Sequence, residues 1–299
     1  MDCRLGAACP AQLPVCDQAT GVCVSQTTAG VRSQQFTVRN PGSDVDWWVK
    51  AIYPNDGPHG GRYPAVVSVP GGVGAGSAME SVPDSNRNPA EQAKRGFVVV
   101  IFDADGRGNT QGVEDQGGHV HQDGLKAVIE AVAALPYVDA SRIGLNTSSF
   151  GITMGSGVLA RYPTLPVRFL VDYEGPANRK DTGRCDEFGT GHITHDCADD
   201  LWWSEREAES FIKRVQVPYL RIQNTTDHAQ PDNTHCILMI NSATAAQYGG
   251  GGVAPWTRVN LATMNQPNRT YATAAPPAYN PTGASIDLTA LWSELLAAP

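Results

Sequence analysis

The chain has 299 residues, of which 41% are hydrophobic and 17% charged, a composition typical of a globular protein that buries a core. Its formal net charge is −8 and it contains no basic cluster, so nucleic acid and anionic membrane surfaces are not expected as partners. No apolar run reaches the roughly 18 residues of a membrane span, so none is predicted.

Seven cysteines indicate an oxidising environment. Four of them fall in residues 1–24, which form a predicted cysteine-rich N-terminal segment: Cys3, Cys9, Cys16 and Cys23. Cys185 and Cys197 bracket a short polar stretch, and Cys236 stands alone in a predicted helix. This distribution favours three disulfides and one buried thiol. The alternative is a zinc knuckle, but the first four cysteines are spaced more widely than the CxxC pairs of zinc sites.

The segment 3–24, with its "CP", "CD" and "TGVCV" elements, resembles the short leads of bacterial exported lipoproteins. The resemblance implies a secreted, periplasmic or cell-surface location in a bacterium. We also expect that a leader has been removed ahead of Cys3.

The small polar residues 25–34 predict a linker, and beyond it strands and helices alternate through a domain over 35–299. The near-continuous apolar runs predict strands that are covered on both faces, as in a parallel sheet. The predicted strands are 34–40, 47–54, 63–70, 96–104, 142–147, 167–173, 217–224 and 256–261. The predicted helices are 88–95, 123–135 with Asp123 as cap, 149–162, 232–247 and 284–297.

A tight turn between the fifth predicted strand and the following helix carries Thr147-Ser148-Ser149-Phe150-Gly151. The pattern small-x-Ser-x-small is the nucleophile elbow, in which a strained turn exposes the serine and leaves little room beside it. Gly151 fits this pattern, whereas Thr147 replaces the usual glycine. The alternative for Ser149 is an ordinary helix cap.

Three further motifs follow predicted strand ends: "VPGG" at 69–72, "DADGRGNTQG" at 103–112 and "NTTDHAQP" at 224–231. With the elbow, they make residues 45–297 resemble the α/β-hydrolase superfamily, nearest its dienelactone-hydrolase and prolyl-oligopeptidase-like branches. The resemblance implies a mostly parallel eight-stranded sheet with helices on both faces. It also implies Ser149 as nucleophile, Gly72 and Phe150 as oxyanion donors, and Asp227 as the acid.

Asp227 could instead cap the helix that follows it, and Glu174, after the sixth predicted strand, is the second candidate for the acid. The histidine poses a larger problem. In this fold it follows the last strand, but residues 262–271 contain none and the last histidine of the chain is His235. Asparagines stand there instead, and an amide cannot act as a general base.

Histidines elsewhere in the chain could reach Ser149, and His228 is favoured by its position beside Asp227. The other candidates are His119, His121, His192 and His195. The "HVHQD" sequence at 119–123 has metal-ligand spacing but lacks a further histidine, so we expect no metal and no other cofactor.

Residues 175–207 form a long insertion closed by the Cys185/Cys197 pair, and we expect it to cap the carboxyl edge of the sheet. Trp202 and Trp203 are candidate substrate-binding residues, as an aromatic wall over an apolar or sugar-like ligand. The alternative is that they anchor the insertion. Its acidic residues are expected to form a solvated face rather than a calcium site.

The sequence therefore predicts an exported serine hydrolase that cleaves a carboxylic ester of a small molecule or polymer through an acyl-enzyme on Ser149. Two alternatives stay open: a catalytically inactive binding protein on the same scaffold, and a serine peptidase of the prolyl-oligopeptidase-like branch. Neither a nucleic-acid partner nor a membrane span is expected.

Overall fold

The computed structural model describes residues 15–17, 22–28, 30–55, 62–185, 191, 193–224, 226–230, 233–266 and 286–297. Within these residues the chain forms one sheet flanked by helices. The strands are β1 (Val15–Asp17), β2 (Val22–Thr28), β3 (Val31–Asn40), β4 (Val45–Pro54), β5 (Tyr63–Val69), β6 (Val98–Asp103), β7 (Val138–Ser148), β8 (Val167–Tyr173), β9 (Tyr219–Ile222) and β10 (Thr257–Val259). The helices are α1 (Pro89–Ala93), α2 (His119–Ala133), α3 (Gly151–Arg161), α4 (Arg179–Thr182), α5 (Asp200–Ser204), α6 (Ala208–Ile212), α7 (Thr234–Ala243) and α8 (Leu288–Ala297).

The strand order is β1-β2-β3-β4-β6-β5-β7-β8-β9-β10. Strands β5 to β10 pair with one another in parallel. Strand β4 pairs antiparallel with both β6 and β3. Strands β3 to β10 are the eight predicted ones, and they form the mostly parallel sheet of an α/β-hydrolase fold. The central strands β5 and β6 are buried along almost their whole length, as their uninterrupted apolar sequence requires.

The segment 25–34, predicted as a linker, lies largely in strands β2 and β3 instead. These two strands pair antiparallel, with Thr28 opposite Val31. Gly30, with a φ of 93°, provides the turn between them, a backbone conformation that glycine adopts without strain. Because short polar and β-branched residues occur in strands as well as in linkers, composition alone does not distinguish the two.

Two apolar layers cover the sheet. Helices α2, α3, α6 and α7 pack on one face, and α1 and α8 pack on the other. Helix α2 begins at His119, four residues before the predicted start, so Asp123 lies inside the helix. Its carboxylate accepts a hydrogen bond from Tyr162 and pairs with Arg161 rather than capping the helix.

The insertion after β8 contributes α4 and α5, and the predicted disulfide joins Cys185 and Cys197. Cys236 is a buried free thiol in α7. Cys16 and Cys23 occupy facing backbone positions in β1 and β2, whereas Cys3 and Cys9 lie outside the described residues. No helix in the described part of the chain has both the length and the apolar character needed to cross a bilayer.

Candidate active site

Ser149 occupies a strained turn between β7 and α3. Its φ is 50°, a left-handed conformation that costs a non-glycine residue energy and recurs at functional turns. The N–H of Ser149 donates to the carbonyl of Tyr173 at 2.7 Å, which ties the turn to the end of β8. The elbow predicted from the sequence is therefore present in the backbone.

The neighbours of Ser149 leave space for this turn. A Cβ on Gly71 would lie 2.9 Å from the Cβ of Ser149, and one on Gly151 would lie 2.6 Å from the carbonyl oxygen of Pro70. The hydroxyl of Thr147, which replaces the usual glycine, donates a hydrogen bond to the carbonyl of Val171. Its methyl group lies where a side chain on Gly155 would clash. The elbow thus accommodates a threonine because α3 has a glycine opposite it.

His228 lies against the hydroxyl of Ser149. Its Nε2 is 2.9 Å from Ser149 Oγ, and its Nδ1 is 2.8 Å from Glu174 Oε2. The imidazole reaches the site from the loop after β9, one strand earlier in the chain than the fold normally places it. Ser149, Glu174 and His228 still follow one another in the usual chain order of nucleophile, acid and base.

Glu174 is held rigidly at the end of β8. Its side chain is fully buried and its φ is 51°. The second carboxylate oxygen accepts the N–H of Asn224 at 2.8 Å, and the N–H of Glu174 donates to the carbonyl of Ile222. A buried carboxylate with both oxygens engaged can fix the ring orientation of His228 and stabilise its protonated form.

Asp227, predicted as the acid, makes different contacts. Its Oδ1 accepts the backbone N–H groups of Ala229 and Gln230, both at 2.8 Å, and is 3.6 Å from the Nδ1 of His228. Its Oδ2 accepts from Gln223 and lies 3.2 Å from the Nε2 of His235. Burial opposes ionisation of this carboxyl, but the contact with His235 and the backbone donors outweigh it and hold the pKa well below its usual range. Asp227 therefore organises the loop that carries the histidine.

A buried ion pair beneath the site joins β8 to β9. Arg221 Nη1 is 2.6 Å from Asp172 Oδ2, and the hydroxyl of Tyr219 donates to the same oxygen. Arg221 also donates to the carbonyl of Gly175 and to the Nδ1 of His235. The other ring nitrogen of His235, Nε2, faces Asp227. The network connects the two strand ends that carry Glu174 and His228.

The predicted oxyanion donors border the serine. Phe150 precedes the first residue of α3, and Gly72, with a φ of 55°, lies in the turn after β5. Neither backbone N–H has an acceptor among the described residues. Two such free donors beside a nucleophile can stabilise a developing oxyanion, each by about 2.7–4 kcal/mol.

A cavity of about 180 Å³ opens beside Ser149. Its walls are mainly apolar and contain no charged side chain among the described residues. They comprise Gly72, Val73, Phe150, Pro176, Thr182, Ile193, Ala229 and Gln230. The insertion thus contributes to the site through Pro176 ahead of α4, Thr182 in α4 and Ile193 after it.

Neither tryptophan, both predicted to bind substrate, is among the residues that line this cavity. Trp203 is 1% exposed and packs with Phe150 and Ile193. Trp202 stacks on His195 at 3.9 Å and lies under the guanidinium of Arg206 at 4.0 Å. Trp203 therefore attaches the insertion to the body of the protein at Phe150, whereas the ring of Trp202 is used in contacts within the insertion.

The other described histidines have structural partners. His121 is buried, accepts from the N–H of Gly117, and has its pKa lowered to about 3 by burial. His119 faces Glu205, and His195 pairs with Asp199, while His192 lies outside the described residues. Among the described residues, the one cluster with metal-ligand spacing is Glu174, Asp227 and His228. This cluster does not include any residue of the 119–123 sequence. Its ligand atoms make the hydrogen bonds of the site that are described above.

No protein-family model matches the chain, and no curated protein matches it. Solved structures do resemble it. The Porphyromonas gingivalis dipeptidyl peptidase 4 superposes with a TM-score of 0.58 and 18% identity over 77% of this chain and 32% of its own. A Pyrococcus furiosus esterase superposes with a TM-score of 0.55 and 15% identity, over 76% of this chain and 81% of its own. A Staphylococcus aureus hydrolase of the CocE/NonD family superposes with a TM-score of 0.58 and 15% identity, over 80% of this chain and 51% of its own.

The chain spans about a third of the dipeptidyl peptidase and most of the esterase. At these identities the similarity establishes the α/β-hydrolase fold and no more. The chemistry has to be argued from the site itself.

Proposed function

We propose that the protein is a serine hydrolase that cleaves carboxylic esters through an acyl-enzyme on Ser149. The observation that carries the proposal is the pair of contacts of His228, 2.9 Å to the Ser149 hydroxyl and 2.8 Å to the Glu174 carboxylate. These are the distances at which a base takes a proton and an acid orients that base. A histidine within reach of the Ser149 hydroxyl also supports an enzyme over an inactive binding protein.

In the proposed mechanism, Ser149 Oγ attacks the ester carbonyl while its proton passes to the Nε2 of His228. The N–H groups of Gly72 and Phe150 hold the oxyanion, and Glu174 stabilises the imidazolium. When the tetrahedral intermediate collapses, the Nε2 proton moves to the departing alcohol and the acyl group remains on Ser149. A water then gives a proton to His228 Nε2 and attacks the acyl carbonyl. When this second intermediate collapses, the bond to Ser149 Oγ breaks, the Nε2 proton returns to Oγ, and the carboxylic acid is released.

The cavity favours a small neutral ester over a peptide. A volume of about 180 Å³ is below the roughly 300–1,000 Å³ of typical small-molecule sites. Its described walls carry no charge to pair with the terminus of a peptide. The proposed substrates are therefore esters with a short group beside the carbonyl, either free or as part of a polymer.

An exported location is part of the proposal. The disulfide between Cys185 and Cys197 supports it, because disulfides persist mainly in oxidising compartments. The cysteine-rich lead is consistent with the same location.

The first experiment combines a fluorophosphonate probe with turnover of 4-nitrophenyl butyrate. We expect a mass shift on the peptide that contains Ser149, and loss of both labelling and turnover in Ser149→Ala. His228→Gln should lower turnover at least 100-fold, whereas the matched control His195→Gln should retain it, since His195 contacts Trp202 in the insertion.

Two outcomes would redirect the proposal. Absence of labelling and turnover in the folded wild type would favour a binding protein. Cleavage of an alanyl nitroanilide with a kcat/KM equal to or above that of the ester would favour the peptidase.

A further inference from the structure

Asn260 follows directly after β10, at the point where the fold normally continues into the loop of the catalytic histidine. The residue is fully buried and its φ is 47°, a left-handed conformation that asparagine tolerates better than most other residues. The chain therefore turns away from β9 here, and the position presents a buried amide instead of a base. A buried amide needs hydrogen-bond partners.

The amide of Asn260 pairs with the backbone of Gln223. The backbone N–H of Asn260 donates to the carbonyl of Arg221 at 2.9 Å, beside the parallel pairing of β9 and β10. Its side-chain Oδ1 accepts the N–H of Gln223 at 2.9 Å, and its Nδ2 donates to the carbonyl of Gln223 at 2.7 Å. Because a carboxamide carries the same donor and acceptor as a peptide group, the side chain continues the pairing after the strand has turned away.

Gln223 is the residue from which the loop carrying His228 departs, directly after β9. Its side-chain Nε2 donates to Asp227 Oδ2 at 2.7 Å, and Asp227 Oδ1 accepts the two backbone N–H groups that follow His228. The next backbone N–H along the chain, that of Asn224, donates to the buried carboxylate of the site. Asn260 therefore fixes the residue from which hydrogen bonds extend both to the acid and to the histidine loop.

We infer that Asn260 is a positioning residue for His228, and that its amide holds the loop so that the imidazole stays within reach of the Ser149 hydroxyl. The inference rests on the proposed hydrolase function. The His228 side chain is 45% exposed, so packing does not enclose the ring and its position depends on the backbone of the loop. A displacement of about 1 Å at a catalytic group can cost on the order of 100-fold in rate.

The test variant is Asn260→Gly, which keeps the left-handed backbone and removes the amide. Asn265→Gly is the matched control, because Asn265 is also left-handed and its Oδ1 accepts the N–H of Thr257 at the other end of β10. With 4-nitrophenyl butyrate, Asn260→Gly should lower kcat about 10- to 100-fold and change KM by less than about twofold, since the base acts in the chemical step. The control should retain the wild-type kcat.

Asn260→Asp is a second variant that keeps the side-chain size and an acceptor for the Gln223 N–H. It should also lower kcat, because a carboxylate oxygen replaces the donor to the Gln223 carbonyl. It provides the same test if Asn260→Gly does not fold, which the Tm of each variant reports.

A double mutant separates positioning from a general loosening of the site. A residue that acts through His228 has no further effect once that base is removed. The residual turnover of His228→Gln, measured above that of Ser149→Ala, should therefore be unchanged when Asn260→Gly is added. A general loosening would lower this residual rate too, because it depends on the oxyanion donors and on binding.

Wild-type kcat in a folded variant at position 260 would overturn the inference, as would an equally large fall in the His228→Gln background. In both cases the wild type still turns over esters, so the proposed function stands. Absence of fluorophosphonate labelling and of turnover in the wild type would instead remove the proposed function, and the inference with it.

Discussion

Replacing Glu174 by glutamine tests which carboxylate acts as the acid of the site. The substitution keeps the shape of the side chain and the contact with the N–H of Asn224, but removes the charge that faces the Nδ1 of His228 at 2.8 Å. Asp227→Asn is the matched comparison, because Asp227 is also a buried carboxylate near the same ring and was the acid predicted from the sequence.

The magnitude follows from the charge that develops on His228 in the transition state. Two unit charges about 4 Å apart interact by about 1 kcal/mol in water and about 4 kcal/mol near a protein surface. The His228 side chain is 45% exposed, which places it between these limits. A loss of about 2–3 kcal/mol corresponds to a fall in kcat of roughly 30- to 150-fold. Loss of ring orientation adds to this effect.

The fall in kcat caused by Asp227→Asn should be at least ten times smaller than the fall caused by Glu174→Gln. An asparagine can still accept the two backbone N–H groups of the loop, so the position of His228 is largely retained. The assay is steady-state hydrolysis of 4-nitrophenyl butyrate, with Tm measured for each variant to control for folding. An equal or larger fall in kcat for Asp227→Asn would refute the assignment of Glu174 as the acid.

Three further predictions address the elbow and the core. Gly71→Ala should lower kcat at least tenfold, because the added methyl lies 2.9 Å from the Cβ of Ser149; wild-type kcat in a folded variant would contradict the close approach of Gly71 to the elbow. His121 has a native pKa of about 3, below its unfolded value of about 6.5, so the unfolded state gains a proton first as pH falls. The free energy of unfolding should therefore decrease between about pH 6.5 and 3, by up to about 1.4 kcal/mol per pH unit from this group. Urea titrations at pH 7, 5 and 4 should show a shallower decrease for His121→Gln, and an identical slope would argue against the buried neutral ring. Cys236 is fully buried, and burial raises the pKa of its thiol to about 11. Iodoacetamide at pH 8 should thus alkylate the peptide containing it only after denaturation, as judged by mass spectrometry; rapid labelling of the native protein would refute its burial.

Features that depend on local sequence could be predicted well. The near-continuous apolar runs identified the central strands β5 and β6, because a strand covered on both faces needs apolar residues at every position. The small residues around Ser149 identified the elbow, because the steric limits of that turn act within a few residues of it. The prediction of a disulfide between Cys185 and Cys197 was confirmed. It could be made from the sequence because the two cysteines are only 12 residues apart.

Helix and strand limits were less certain where local signals compete. Asp123 has a side chain suited to a cap, yet its carboxylate is used by Arg161 and Tyr162 at the end of α3. The loop after the last strand holds an asparagine, Asn265, whose side chain accepts the N–H of Thr257 at the start of β10. The role of Asp123 therefore depends on contacts with a segment distant in the chain. The role of Asn265 depends on a contact back to the strand before it.

The sequence by itself determined that a serine would stand at the elbow of an α/β-hydrolase sheet, because that motif is continuous in the chain. Only the tertiary structure decided which base and which acid reach it. Glu174 and His228 are separated by 54 residues and meet because β8 and β9 are adjacent in the sheet. Their contact depends on the strand order, on the left-handed backbone at Glu174 and on the buried ion pair of Arg221 with Asp172. None of these features leaves a pattern in the neighbouring sequence.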